Sequence, residues 1–313
     1  MEFPDISKTI KDVKAFLGWD EPPARTLSDR QATAKSLIEA WLRTQSVTQL
    51  KLPPDKFAER LRALVDSPQT LRQGAYGWCL SAAFMQSALC RFPDEIVKFG
   101  LDLYTNGAAV LGDIDVTMSE AFRASDYPAE IQAAGLPPRN RDLYLASHAD
   151  WVVMAGFQED VSSLVTLTGA IHDPPGGFTA GALVDLFKDS GLYADVTDMW
   201  LADKRDRQKL VEALNKCRTH DVCLVSEMNR FGPAASVRHA VRLVAPPVFT
   251  ANGNSGNPAD SETITFQYWS WGFQPSGAEG LPFDPGQNAF TFSMTRRQFV
   301  ANMDIVVAEP KPI

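Results

Sequence analysis

Four cysteines and four histidines are all that this chain of 313 residues carries. Cys79, Cys90, Cys217 and Cys223 are too few, at this length, to form a disulfide scaffold. Cys217, His220 and Cys223 stand close in sequence, but Cys-x2-His-x2-Cys leaves a zinc ion short of protein ligands, so no metal or other cofactor is expected. Basic residues are in the minority, with a formal net charge of −8, which argues against a general affinity for nucleic acid or for an anionic membrane surface. The one basic cluster, Lys204-Arg205-Asp206-Arg207, is interrupted by acid and reads as a solvated helix face. No apolar run approaches the roughly 20 residues needed to cross a bilayer. Met1-Glu2-Phe3-Pro4-Asp5 has neither the basic start nor the apolar stretch of a secretory signal. The expected location is the cytoplasm, or outside the cell by a secretion route that needs no signal peptide.

What is present is the composition of an ordinary globule, 45% apolar and 22% charged, long enough for one large domain or two lobes. The first two-thirds reads as helical. A capping box is expected at Ser28 and Gln31, ahead of an apolar stripe of Leu37, Ile38, Trp41 and Leu42. Pro53-Pro54 opens a helix with Phe57, Leu61, Leu64 and Val65 on one face. Further helices are expected from Cys79 to Leu89, from about Asp94 to Gly107, from Thr179 to Gly191 and from Arg205 to Asn215. Leu143 to Met154 is a buried helix or a helix-to-strand passage. From Asp221 onward short β-rich runs take over, at 222–225, 237–244, 264–271, 290–294 and 305–307. The fold class is therefore α+β, with helices first and a largely antiparallel sheet after.

The densest chemical signal is Gln73-Gly74-Ala75-Tyr76-Gly77-Trp78-Cys79. A cysteine in the first turn of a helix gains from the partial positive charge there, which favours the thiolate. Two glycines let the loop bring the Gln73 amide back beside the sulfur, where it could stabilise a developing oxyanion. Read structurally, the same cysteine is a small buried hydrophobe entering a core helix. The base that would complete the chemistry is His239, placed near the start of a strand in Arg238-His239-Ala240-Val241.

In this order, Gln73, Cys79, His239-Ala240-Val241 and Trp269-Ser270-Trp271-Gly272, the chain resembles the papain-like cysteine peptidase superfamily as a remote member. The resemblance implies a two-lobe papain-like fold, with a helical extension at 1–60, a helical lobe carrying the nucleophile at 61–218 and a β lobe carrying the histidine at 219–313. It implies a thiol hydrolase (cysteine protease, amidase or deamidase) that cleaves a peptide or amide bond through a thioester, with Gln73 and the Cys79 N–H as oxyanion donors. Trp271 matches the tryptophan that shields the pair from water in that superfamily. A protein or peptide, peptidoglycan or a glutamine side chain would be the substrate, and a bacterial effector or toxin would fit the absence of a leader. The sequence departs from the pattern where the superfamily has the asparagine that orients the histidine. Trp269 stands there, and an indole cannot accept that hydrogen bond. Gln267, on the same strand face, is the candidate orienter, with Asn254, Asn257 and Asp260 in the preceding loop as others. A rival base is His172 beside Asp173, and the rival function is a catalytically inactive scaffold that binds a protein partner.

Overall fold

Two helices near the N-terminus are set by their first residues. In α1 (Leu27–Arg43) the N-cap is Thr26, whose side chain accepts from the Asp29 N–H while the Asp29 carboxylate accepts from the Thr26 N–H. The capping box thus lies two residues earlier than Ser28 and Gln31. Thr26 and Asp29 satisfy the same spacing, and the Asp29 charge also favours the helix N-terminus. In α2 (Pro54–Asp66), Pro54 takes the first helical position, where its missing N–H removes nothing. The computed structural model describes residues 25–44, 50–72, 78–124, 141–157, 179–226, 239–251, 262–270 and 289–312.

The helical part continues with α3 (Cys79–Arg91), α4 (Pro93–Asn106) and, after the hairpin β1 (Ala108–Leu111) and β2 (Ile114–Thr117), with α5 (Glu120–Ala124) and α6 (Arg141–Ala155). The hairpin was not foreseen; its turn at Gly112 has φ +60° and docks on the end of α7 (Ala180–Asp189), with the Asp113 N–H donating to the Asp189 carbonyl at 2.6 Å. Leu143 to Met154 proves to lie within a helix, α6. α3 is buried on nearly every side, from Cys79 to Leu89, with α2, α4, α6 and α7 packed against it.

The strands that follow are β3 (Tyr193–Asp198), β4 (Asp221–Ser226), β5 (His239–Leu243), β6 (Val248–Ala251), β7 (Glu262–Trp269), β8 (Ala289–Thr295) and β9 (Met303–Pro310), with short helices α8 (Leu201–Arg205), α9 (Arg207–Asn215) and α10 (Arg296–Asn302) between them. Every pairing is antiparallel, and β9 sits between β3 and β4, followed by β5 and β7. Thr263 of β7 pairs with Thr250 of β6 and with Thr295 of β8, so β6 and β8 flank opposite edges of β7. β5 and β6 run along the same edge, interrupted at Ala245-Pro246-Pro247, where the prolines have no N–H to give to a ladder.

Strand alternation divides the core in two. Cys223, Val225, Ala240, Val306 and Ala308 face the helices and share one cluster with Ala34, Ile38, Phe57, Leu61, Phe84 and Phe99. Val222, Leu224, Val241, Leu243, Ile305 and Val307 face the other way, against Leu210 and Leu214 of α9 and Phe299 of α10. The architecture is α+β, an antiparallel sheet with the larger helical cluster on one face and α9 and α10 on the other. The described part of the N-terminal stretch belongs to the first cluster: Arg30 Nη1 meets Asp94 at 2.9 Å and Gln31 donates to the Val65 carbonyl. β3 precedes residue 219 in the chain, yet it is an edge strand of the main sheet.

Candidate functional site

Cys79 is the first residue of α3, as the sequence predicts, and no side chain caps that helix end. Backbone N–H groups of Ala240, Cys79 and Leu80 favour the thiolate, and Cys79 shares one buried cluster with Ala240 of β5, the residue after His239.

Both groups are enclosed, Cys79 at 2% exposure and His239 at 8%. Burial pushes the Cys79 thiol from 9.0 up to about 12, against the pull of the three N–H groups. That rise corresponds to about 4 kcal/mol, more than the ~2 kcal/mol a helix terminus supplies at best, so the enclosure outweighs the helix dipole for the thiol alone. Burial likewise takes the His239 ring from 6.5 down to about 4. At neutral pH each group taken singly is uncharged. A thiolate and an imidazolium formed together attract one another at low local dielectric, an energy that neither isolated group has.

The His239 ring has a polar neighbour. Its Nε2 lies 2.8 Å from the hydroxyl of Ser270, which follows β7 directly and is 1% exposed. Gln267 occupies a different place. Its side chain is exposed, and its carbonyl accepts from the Val244 N–H. Val244 lies five residues along from His239, which in a strand is about 16 Å, beyond the length of a glutamine side chain. The contact to the ring is made by Ser270, next door to the tryptophan at which the expected asparagine was missing. The signal was present in the sequence: only the hydroxyl in Trp269-Ser270-Trp271 can both donate and accept. Trp269 itself lies under the Arg242 guanidinium, 5.0 Å from ring centroid to Cζ.

Arg242, two residues beyond Ala240, anchors the strand. Its guanidinium meets Asp221 at 2.6 and 2.9 Å and approaches the Cys90 sulfur at 3.7 Å, while Tyr193 donates to Asp221 at 3.1 Å. This buried group ties β3, β4 and β5 to the far end of α3.

Gln73, Trp271, Asn254, Asn257, Asp260, His172 and Asp173 lie outside the described residues. His220 is at the surface, with Nδ1 2.8 Å from the Thr219 hydroxyl and Nε2 3.7 Å from Glu309. His148 is buried on α6 against Trp151, ring centroids 5.8 Å apart. Cys223 is interior to β4, its sulfur 4.0 Å from the Ser87 hydroxyl, whereas Cys217 is half-buried. Among the described residues no three His, Cys, Asp or Glu side chains gather as metal ligands, and no helix is long and apolar enough to cross a membrane.

No protein-family profile matches this chain, and no curated protein or solved structure shows significant similarity to it.

Proposed function

We propose that this chain is a papain-like thiol hydrolase that cleaves a peptide or amide bond through Cys79 and His239. The observation that carries the reading is that α3, which opens at Cys79, packs on β5, the strand that carries His239. Ser270 supports it by occupying Nε2 of the ring. With Nε2–H donating to the hydroxyl, Nδ1 keeps its lone pair and serves as the base.

The chemistry follows in two halves. Nδ1 takes the thiol proton as the sulfur attacks the acyl carbon, forming the S–C bond and moving the carbonyl electrons onto oxygen. The N–H of Cys79 and the amide of Gln73 stabilise that oxyanion. Collapse expels the amine, which leaves with the proton from His239. Water then attacks the thioester with His239 as base, releasing the acid and restoring the thiol. The papain-like two-lobe arrangement, with residues 219–313 carrying the histidine, belongs to the same proposal. So do a protein, peptide, peptidoglycan or glutamine side-chain substrate and the role of an effector or toxin.

The rival, an inactive scaffold that binds a protein partner, is favoured by one observation: the enclosure that keeps Cys79 and His239 neutral one at a time. Iodoacetamide at pH 6 separates the two. Selective labelling of Cys79, slowed by His239→Ala, supports the hydrolase, because an isolated thiol is almost wholly protonated there. Cys79 labelling no faster than that of the half-buried Cys90 and Cys217, and indifferent to His239→Ala, favours the scaffold.

A further inference from the structure

The N-cap of α8 is Trp200, whose indole is the most exposed large apolar side chain among the described residues, at 75%. Its backbone is nonetheless held on both sides. The Met199 N–H donates to the Ile305 carbonyl of β9 at 2.9 Å, and the Trp200 carbonyl accepts from the N–H groups of Asp203 and Lys204, each at 3.0 Å. Lys204 is buried, and its ammonium donates to the Met303 carbonyl at 2.9 Å and to Asp304 Oδ1 at 2.8 Å. From the other side, Lys209 of α9 meets Asp203 at 2.6 Å. Two lysines thus pin α8 to β9 and to α9, while the indole at its start is left facing water.

That indole borders an open groove of about 580 Å³, within the range of small-molecule sites. The floor is the sheet, at Thr197 of β3 and Val307 of β9. The ionisable side chains around it are balanced, with Lys188, Lys209 and Lys216 against Asp198, Asp203 and Glu212. Lys209 and Asp203 neutralise each other, whereas Lys188, Lys216 and Asp198 have no side-chain partner among the described residues. A ligand of one charge meets as much repulsion as attraction in such a groove. An uncharged ligand rich in hydroxyls does better, because each hydroxyl can donate to a carboxylate or accept from an ammonium. The flat face of an indole suits the C–H face of a sugar ring, with the ring N–H free to donate at its edge. We infer that this groove binds an uncharged oligosaccharide, with Trp200 as the stacking platform and Lys188, Lys216 and Asp198 as partners of its hydroxyls. The inference goes beyond the hydrolase reading and stands without it.

The test applies the full chain to an array of uncharged glycans and measures the best-bound trisaccharide by titration calorimetry. Trp200→Ala is expected to weaken binding about tenfold or more, and Trp200→Phe, which keeps a ring, to weaken it less. Asp198→Asn should cost about threefold or more. Raising the salt concentration should change the affinity less than about twofold, since no net charge is neutralised. Both Trp200 and Asp198 are exposed, so the variants should keep the wild-type thermal midpoint. No arrayed glycan bound, glycan binding unchanged in Trp200→Ala, or an affinity that falls steeply with salt overturns the inference. Binding to arrayed peptides in place of glycans, lost in Trp200→Ala, makes the groove a peptide site and overturns it as well.

Discussion

The Nε2 of His239 and the Oγ of Ser270 lie 2.8 Å apart, and the two residues reach each other from the facing ends of β5 and β7. The ladder pairs Arg242 with Trp269, and Ser270 is the first residue past the end of that strand. Ser270→Ala is expected to remove one anchor of the ring, and to slow acylation of Cys79 by on the order of tenfold to a hundredfold, the worth of a hydrogen bond to a group that becomes charged. Ser270→Thr keeps the hydroxyl and should recover most of that loss. The pH–rate profile of alkylation decides between orientation and packing: a shifted acid limb in Ser270→Ala marks orientation, and an unshifted profile would remove Ser270 from the role.

Acid should uncover the buried ring. His239 titrates at about 4 in the folded chain against 6.5 when free, so above pH 6.5 it is neutral in both states and its burial costs no proton. As pH falls from 6.5 to 4 the unfolded chain takes up a proton that the folded chain refuses, and stability is lost through that window. The loss assignable to this group is about 3 kcal/mol. Urea midpoints at pH 7 and pH 4 should fall further for wild type than for His239→Gln. Equal falls would mean that the ring is not held neutral.

Gln86 is fully buried on α3, and among the described residues neither atom of its amide has a hydrogen-bond partner. An unsatisfied buried amide costs about 1–3 kcal/mol, so Gln86→Met, close in volume and without polar atoms, should raise the thermal midpoint. Iodoacetamide labelling of Cys79 should not change. A lowered midpoint would show that the amide meets something the described residues do not include.

Gly112 turns the β1–β2 hairpin in the left-handed region, and a Cβ built there would stand 2.3 Å from the Asp189 carbonyl oxygen and 2.5 Å from that of Ser190. Backbone cannot step aside as a flexible side chain can. Gly112→Ala should therefore cost about 2 kcal/mol or more in urea denaturation. A cost below half of that would mean that the hairpin lifts off α7 freely.

The sequence was most readable where one residue type has one physical use. Pro54 at a helix start, Thr179 as a cap and Gly107 in the left-handed region at the end of α4 each stand where expected. Cys79 opens its helix, because a glycine-containing loop precedes it in sequence, and His239 lies in a strand, because an apolar β run follows it. β3 was missed for a reason visible in its burial. Only Tyr193 and Val196 are inside, while Ala194, Asp195, Thr197 and Asp198 are exposed, so an edge strand shows no alternation to find. Ser270 escaped because reasoning by strand face looked two residues back from Trp269, to Gln267, whereas the ring is met just past the strand end, where alternation no longer applies. The Asp150 carboxylate accepts from the Arg72 N–H, 78 positions away in sequence, and nothing local announces such a pair.

The position of β9 has a consequence for how the chain is made. It follows every other strand in sequence, yet it lies between β3 and β4 and pairs with both. During synthesis those two strands have no common neighbour until Met303–Pro310 has been made, and the Asp221–Arg242–Tyr193 group that spans them waits for the same moment. The nucleophile helix and the histidine strand exist long before the wall behind them is complete. A nascent chain therefore carries Cys79 without its finished surroundings, and the activity proposed above should switch on with insertion of β9 rather than accumulate as the chain lengthens.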